Sequence, residues 1–414
     1  MTVMHNNSDA LIIGAGPAGL ALSISLADAG LHVTLVERQP ESALKNPPFD
    51  GREIALTYRS VNRLRELGAY QRIPAAEISP LGEARIFNGP SPHAIRFAPN
   101  DKTALALGTL VPNHLIRKAL YETAKSRQAI RFVTDCAATG IETNPFDALL
   151  TLADGTRLSA KLIIAADTRF SDMRRRMGIP ASMRDFGKSM LVCRMLHEKP
   201  HGTVATEWFC YGQTIAMLPL NDPAPGKSMS SLVLTLPARQ VERLRTLDEA
   251  AFSAEISTRY RHRLGEMTLA STRHAYPLVG VYASRFVGER FALAGDAAVG
   301  MHPVTAHGFN FGLMSEQTLS GLIAPAVKAG SDIAAEKLLL RYEALHRRAT
   351  RALYVATNTT ALLYAEDRFP APLLRNAVIR AGEWLPPVRR AVVSKLMQGS
   401  GEHQPPSLLR ALVP

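Results

Sequence analysis

Apolar residues occur in short runs broken by glycine, and the first run sets the frame. Residues 9–14 read as a buried strand, 17–30 as a helix opened by Pro17 and closed by Gly30, and 31–37 as a second strand. Further on, 61–68 carries helical periodicity ending at Gly68, and Asn113 is placed to cap a helix reaching about residue 125. Residues 131–135, 148–153 and 161–166 read as strands, with Asp154-Gly155 as a hairpin turn between the last two. From about 182 to 282 the pattern changes. β-prone runs at 189–195, 206–211, 214–218 and 230–236 are followed by a helical stretch over 238–264 and a strand over 268–276. This block reads as an inserted sheet laid over the first domain. A buried strand at 291–295 and helices over 307–327 and 334–364 return to the first pattern, and 370–398 is helical with a break at Pro386-Pro387.

The 414 residues suit two domains and a helical tail, and 46% hydrophobic with 20% charged residues is a globular composition. The expected division is 1–181 and 283–330 for the first domain, 182–282 for the sheet, and 331–414 for a C-terminal helical segment. Eighteen uncharged residues lie between Asp9 and Asp28, long enough to suggest a membrane span. A glycine-rich turn interrupts them and no basic residue precedes them, so they read as strand, turn and helix.

Net charge is +12, and from residue 341 onward eleven Lys and Arg face five Asp and Glu. Half of the surplus therefore sits in the tail. In 370–398 an apolar stripe of Leu374, Val378, Ala381 and Leu385 lies among Arg375, Arg380, Arg389, Arg390 and Lys395. This is the pattern of a helix packed on its own domain or of one meeting an acidic lipid surface or lipid-presenting partner. No zinc spacing or helix-turn-helix pattern accompanies the charge, so nucleic acid is not expected. Cys136, Cys193 and Cys210 match neither a metal site nor a CxxC motif, and three sparse cysteines suit a reducing cytoplasm.

Four motifs carry chemistry. In Gly14-Ala-Gly16-Pro-Ala18-Gly19 the first glycine permits the turn, the second lets a pyrophosphate approach, and the third packs helix on strand. Glu37, at the end of the next strand, can take both ribose hydroxyls of an adenosine. This unit alone does not separate FAD from NAD. In Asp50-Gly51-Arg52-Glu53-Ile-Ala-Leu, Arg52 offers a bidentate fork to phosphate, or is a solvated loop arginine. In Leu162-Ile-Ile-Ala-Ala-Asp167-Thr168-Arg169, a buried strand delivers an acid to its carboxyl end, where Asp167 binds a ligand or caps a helix. The run from Leu293 through Gly295-Asp296, His302-Pro303 and His307-Gly308-Phe-Asn310-Phe-Gly312 repeats strand, acid, loop and helix start. Its helix dipole suits the anionic pyrimidine side of a reduced flavin better than a nicotinamide.

In this order and spacing the four motifs resemble the class A flavoprotein monooxygenases, and within them the ubiquinone-biosynthesis hydroxylases, over residues 9–319. The HPVTAHGFNFG wording is similar to the five-demethoxyubiquinol hydroxylase branch. The resemblance implies an α/β fold, with a Rossmann-like FAD-binding domain, an inserted β-sheet substrate domain and the helical tail. It implies that Gly14, Gly16, Ala18, Gly19 and Glu37, with the neighbouring Arg38, hold the ADP half of FAD. Arg52 and Arg117 would lie near pyrophosphate and flavin, Asp167 and Asp296 along the cofactor's middle, and Pro303, Gly308 and Asn310 at the ring. NAD(P)H would bind transiently, since one GxGxxG is present, and a flavin C4a-hydroperoxide formed with O2 would hydroxylate the ring of a polyprenylated precursor. Thr168, Val299 and His307 depart from the Gly, His and Gln usual in the family.

No catalytic base emerges. His302 and His307 are the nearest titratable candidates, each also readable as structural, and Tyr211 can touch substrate or pack with a satisfied hydroxyl. Alternatives are a hydroxylase of a small soluble phenol, an NAD-dependent dehydrogenase, a flavin-dependent halogenase and a non-catalytic flavin scaffold. The halogenase lacks support because Trp208 and Trp384 form no Trp-x-Trp pair. The resemblance also admits a homo-oligomer or a ubiquinone-biosynthesis complex, peripheral to the inner face of a membrane.

Overall fold

A computed structural model describes residues 3–365 apart from 92, 100–105, 211 and 302–307. The eight-stranded first sheet is built on Val3–Ile13. It runs parallel to Val33–Val36 on one side and Arg157–Ala165 on the other, and Ile130–Val133 and Phe291–Leu293 extend it in parallel. Ala10, Leu11 and Ile12 are fully buried because this sheet is covered on both faces, which explains their unbroken apolar run. The hairpin expected at Asp154-Gly155 joins Ala148–Leu152 to Arg157–Ala165, with Gly155 at φ +84°.

The helix Pro17–Asp28 crosses between the first two strands with proline at its start and Gly30 at φ +94° just beyond its end. It packs against helices Asn113–Lys125 and Gly308–Lys328. Asn113 begins the former but does not cap it: Pro112 holds the cap position without a side-chain bond, and the Asn113 amide donates instead to Asp50 Oδ2 at 2.7 Å. Arg63 on helix Tyr58–Glu66 clamps Glu316 with the Nε–Nη2 edge of its guanidinium, at 2.9 and 2.6 Å, and Ser25 donates to the same buried carboxylate.

The second sheet has nine strands. Its order is Val299–Gly300, His274–Ala283, Ala181–His197, Lys227–Pro237, Gln213–Ala224, Val204–Cys210, Glu83–Asn88 and Ala94–Phe97, with Met267–Leu269 beside Ala181–His197. The expected boundary at 181/182 therefore misplaces residues 83–97. Glu83–Asn88 pairs in parallel with Val204–Cys210, a long-range match with no local sign. The strand expected over 268–276 is two strands. The helical stretch over 238–264 is likewise two helices, Ala238–Thr246 and Glu249–Arg259, because Asp248 accepts from the Ala251 amide at 2.8 Å and starts a new helix. These helices cover one face of the sheet, burying Trp208, Leu234 and Phe252 completely. A third, three-stranded sheet joins Glu53–Leu56, Gly108–Pro112 and Ser79–Leu81.

Helix Glu336–Ala365 closes the described chain. Among the described residues no helix is long and apolar enough to cross a membrane. The stripe and break expected in 370–398 lie outside the described residues.

Candidate active site

The glycine-rich turn leaves the carboxyl end of the central strand. Gly14 has φ +102°, and a Cβ there would stand 2.7 Å from the Ala166 carbonyl oxygen. A Cβ on Gly19 would stand 1.9 Å from the Gly14 oxygen, so this glycine is fixed by packing. Gly16 differs: a Cβ there would meet nothing within 4 Å. Its hydrogen faces open space at the helix N-terminus, where unpaired amides favour phosphate. Glu37 is anchored at the turn, accepting from the Ala15 amide at 2.7 Å and the Gln39 amide at 3.0 Å. Arg38 beside it is exposed. The Ala18 methyl packs against Gly295 and Gly312, locking the first motif to the fourth; a Cβ on Gly295 would come within 2.9 Å of it.

Asp50 organises the second motif. It accepts from the Arg52 guanidinium at 2.6 Å, from the Arg52 amide at 3.2 Å and from Asn113 at 2.7 Å. Burial acts to raise its pKa, but the arginine and these hydrogen bonds outweigh it and hold the carboxyl below its usual range. Arg52 also lies over the Tyr276 ring at 5.2 Å, while the Tyr276 hydroxyl donates to the Asp50 carbonyl at 2.8 Å. Arg117 shares this neighbourhood. Burial lowers its pKa, and among the described residues its closest polar contact is 3.5 Å to Gln39, with no carboxylate in ion-pair range.

Asp167 ends the strand Arg157–Ala165 opposite Gly14. Its Oδ1 is buried without a partner, and burial raises its pKa. The cap of the next short helix is Ser171, which accepts from the Arg174 amide, so capping does not explain Asp167. Asp296 accepts from Arg169 at 3.0 Å, and Arg169 also donates to the Val279 carbonyl at 2.8 Å. Arg174, nearly fully buried, bridges the carbonyls of Arg169 and Ala297. Asn310 donates to the Ala55 carbonyl at 2.9 Å and accepts from Ser60 at 2.7 Å, one residue pair beyond Gly308 at the helix start. His302, Pro303, His307 and Tyr211 lie outside the described residues.

The second sheet turns its uncovered face toward this site. A Cβ on Gly51, at φ +75°, would lie 2.7 Å from Val192 Cγ2 and 3.1 Å from the His274 ring, so the Asp50–Arg52 loop rests on the sheet. Arg194 on the same face bonds Glu53 at 2.9 Å and Glu77 at 3.2 Å. Burial, only partly offset by Arg194, pushes the Glu53 carboxyl up to about 7. Sequence reasoning missed Arg169, Tyr276 and the Glu53–Arg194 pair, and read Asn113 only as a helix cap. Arg169 stood inside a quoted motif and could have been found there; Tyr276 and Arg194 are placed only by strand pairing.

Two features fit a flavin dinucleotide: the open cradle at Gly16 between glycines that cannot grow, and the orphaned Asp167 oxygen with Arg117, which has no close ion pair among the described residues. Together with parallel strands ending at a glycine-rich turn, they define a dinucleotide-binding α/β protein with a second sheet closing over the site. The FAD binding domain family model matches residues 7–357. The chain is 42% identical to ubiquinone hydroxylase UbiM of Neisseria meningitidis over 95% of its length and 85% of that relative. It is 31% identical to ubiquinone hydroxylase UbiL of Rhodospirillum rubrum, covering 98% and 93%. The p-nitrophenol 4-monooxygenase PnpA of Pseudomonas putida superposes with TM-score 0.75 at 17% identity over 97% and 100% of the two chains, a likeness of fold. This chain belongs to the FAD-binding monooxygenases of the ubiquinone-hydroxylase family. FAD is its cofactor and NAD(P)H its reductant.

Proposed function

We propose that the protein hydroxylates the aromatic ring of a polyprenylated ubiquinone precursor with NAD(P)H and O2. The observation that supports this reading is the Asp50–Arg52 loop resting on Val192 and His274, which joins the sheet's uncovered face to the second motif. Bound there and reduced, FAD supplies the activation of oxygen. The protein's part is to bind, orient and exclude water. Gly14, Gly16, Gly19 and Glu37, with Arg38 and the Ala18 amide, would hold the ADP half. Arg117 and Arg52 would neutralise phosphate or flavin charge, Asp167 and Asp296 would take hydroxyls along the middle, and Pro303, Gly308 and Asn310 would border the ring. Incubation of the FAD-loaded protein with NADH or NADPH and a farnesylated phenol tests this. A product heavier by one oxygen supports it, and its position on the ring decides the branch. Nicotinamide oxidation that yields only hydrogen peroxide with that phenol, yet hydroxylates a small soluble one, would shift the reading to the soluble-phenol alternative.

We infer also that the substrate is met at an anionic membrane surface. Helix Glu336–Ala365 supports this, exposing Leu340, Leu345 and Val355 beside the exposed Arg341, Arg348 and Arg351. Each basic residue near such a surface adds about 1 kcal/mol, screened by salt. Salt-sensitive sedimentation with anionic but not neutral vesicles, reduced on replacing Arg341, Arg348 and Arg351 with Gln and further on removing residues 370–414, is the expected result.

A further inference from the structure

We propose that the Glu207 carboxyl is the hydrogen-bonding anchor for an oxygen substituent on the substrate's aromatic ring, held across the uncovered sheet face from the Asp50–Arg52 loop. The inference rests on the ring-hydroxylase reading above and names a group within it.

Alternation along Val204–Cys210 fixes where Glu207 points. Trp208 is buried under the two covering helices, and Thr206 bonds Tyr260 on the same side at 2.6 Å. Glu207 between them faces the other way. Strand register then aligns Glu207 with Ala216, Ala216 with Val233, and Val233 with Val192. Gly51 rests on the Val192 end of that row. Three strand spacings separate the ends, roughly 14 Å. The floor between them is a methyl group and an isopropyl group, an apolar bed on which an aromatic ring can lie, with Glu207 at its far edge.

The carboxyl is otherwise unexplained. Among the described residues Glu207 has no hydrogen bond and no ion pair, so its oxygens are left for solvent or a ligand. It keeps some accessible surface, as a group in a cavity wall does. Burial alone pushes its pKa up to about 8, and no charged neighbour contributes. At neutral pH it is therefore mostly a neutral acid, with one O–H to donate and one carbonyl oxygen to accept. A phenol or quinol oxygen accepts and donates in the same way, so the two groups can satisfy each other. A carboxylate in this apolar row would instead need a counter-ion that the row does not hold.

The test compares wild-type, Glu207→Gln and Glu207→Ala holoenzymes, each checked for full FAD retention. Binding is read from the flavin absorbance on titration with a farnesylated phenol and with the matching farnesylated benzene, which lacks the ring oxygen. A neutral hydrogen bond corresponds to about a three- to tenfold change in affinity. Glu207→Ala should lose that factor for the phenol and nothing for the benzene, and Glu207→Gln should restore most of it. KM should follow the same order. An equal loss for both probes would mean that Glu207 only shapes the cavity, and no loss for either would remove it from the site; each overturns the inference while leaving the hydroxylase reading intact. A wild-type holoenzyme that neither binds nor hydroxylates the phenol would overturn both.

Discussion

The two ends of the site are built in opposite ways. At the nucleotide end, the backbone does the work. Gly14 and Gly19 are glycines because a Cβ would strike main-chain atoms, Gly16 faces open space, and one side chain, Glu37, closes the turn. At the ring end, side chains from distant segments do the work: Asp50, Asn113, Tyr276, Glu53 and Arg194 come from four stretches of chain. The first end is a local device that tolerates no bulk. The second is an assembly whose members are joined by charge and hydrogen bonds, and its specificity can change one residue at a time.

The strongest test of that contrast lies within the glycine-rich turn. Gly16→Val should fold, because its Cβ enters open space, yet lose FAD by about a hundredfold or more, ~2.7 kcal/mol. Gly19→Ala should do the reverse, destabilising the protein itself by about 1–3 kcal/mol through overpacking against the Gly14 oxygen. Flavin content and thermal unfolding of the FAD-free proteins separate the two. If Gly16→Val retains full flavin, or unfolds as readily as Gly19→Ala, the open cradle is not a phosphate site.

The seam between the ends should respond to pH. Glu53 titrates near 4.5 when unfolded and at about 7 when folded. Between these values the native state binds more protons than the unfolded state, so stability falls as pH rises through that window and is level outside it. Relative to Glu53→Gln, the wild type should lose about 2–3 kcal/mol between pH 5 and pH 8, whatever the constant offset from altering the Arg194 pair. Denaturant unfolding of both proteins at the two pH values gives the difference. A difference that stays constant, or grows in favour of the wild type, would mean that Arg194 keeps Glu53 charged throughout.

These contrasts also govern what could be read from sequence. Gly14, Gly16, Gly19 and Glu37 were legible because strand, turn, helix and acid follow one another within a short stretch of chain. Asp167 and Asp296 were legible as acids at the ends of apolar strands. The uncovered face was not, because alternation gives two faces and only the position of helices Ala238–Thr246 and Glu249–Arg259 decides which is free. Glu83–Asn88 escaped for a related reason: its partner strand lies more than a hundred residues away, and nothing in its own residues announces the pairing. In the motif containing Arg169 the acid is the legible group, while the arginine's reach to Asp296 is set by the fold.

The smallest expected effect sharpens the comparison most, because it touches the ring end without touching charge. Tyr276 stands in the second sheet, donates to the Asp50 carbonyl at 2.8 Å and lies under the Arg52 guanidinium. Tyr276→Phe removes the hydroxyl and keeps the ring, so the cation–π contact survives while the loop loses one tie to the sheet. A neutral hydrogen bond contributes about 1 kcal/mol, and the carbonyl left behind can recruit water because the site is open to substrate. The variant should lose about that much stability and keep its FAD affinity, since the glycine-rich turn and Glu37 are untouched. Its loss should appear in coupling: with the loop less firmly seated on Val192 and His274, a smaller share of the NAD(P)H consumed should yield hydroxylated product and a larger share hydrogen peroxide. Were FAD affinity to fall while coupling held, the Asp50–Arg52 loop would belong to the nucleotide end, and the division of labour between backbone and side chains would have to be redrawn around it.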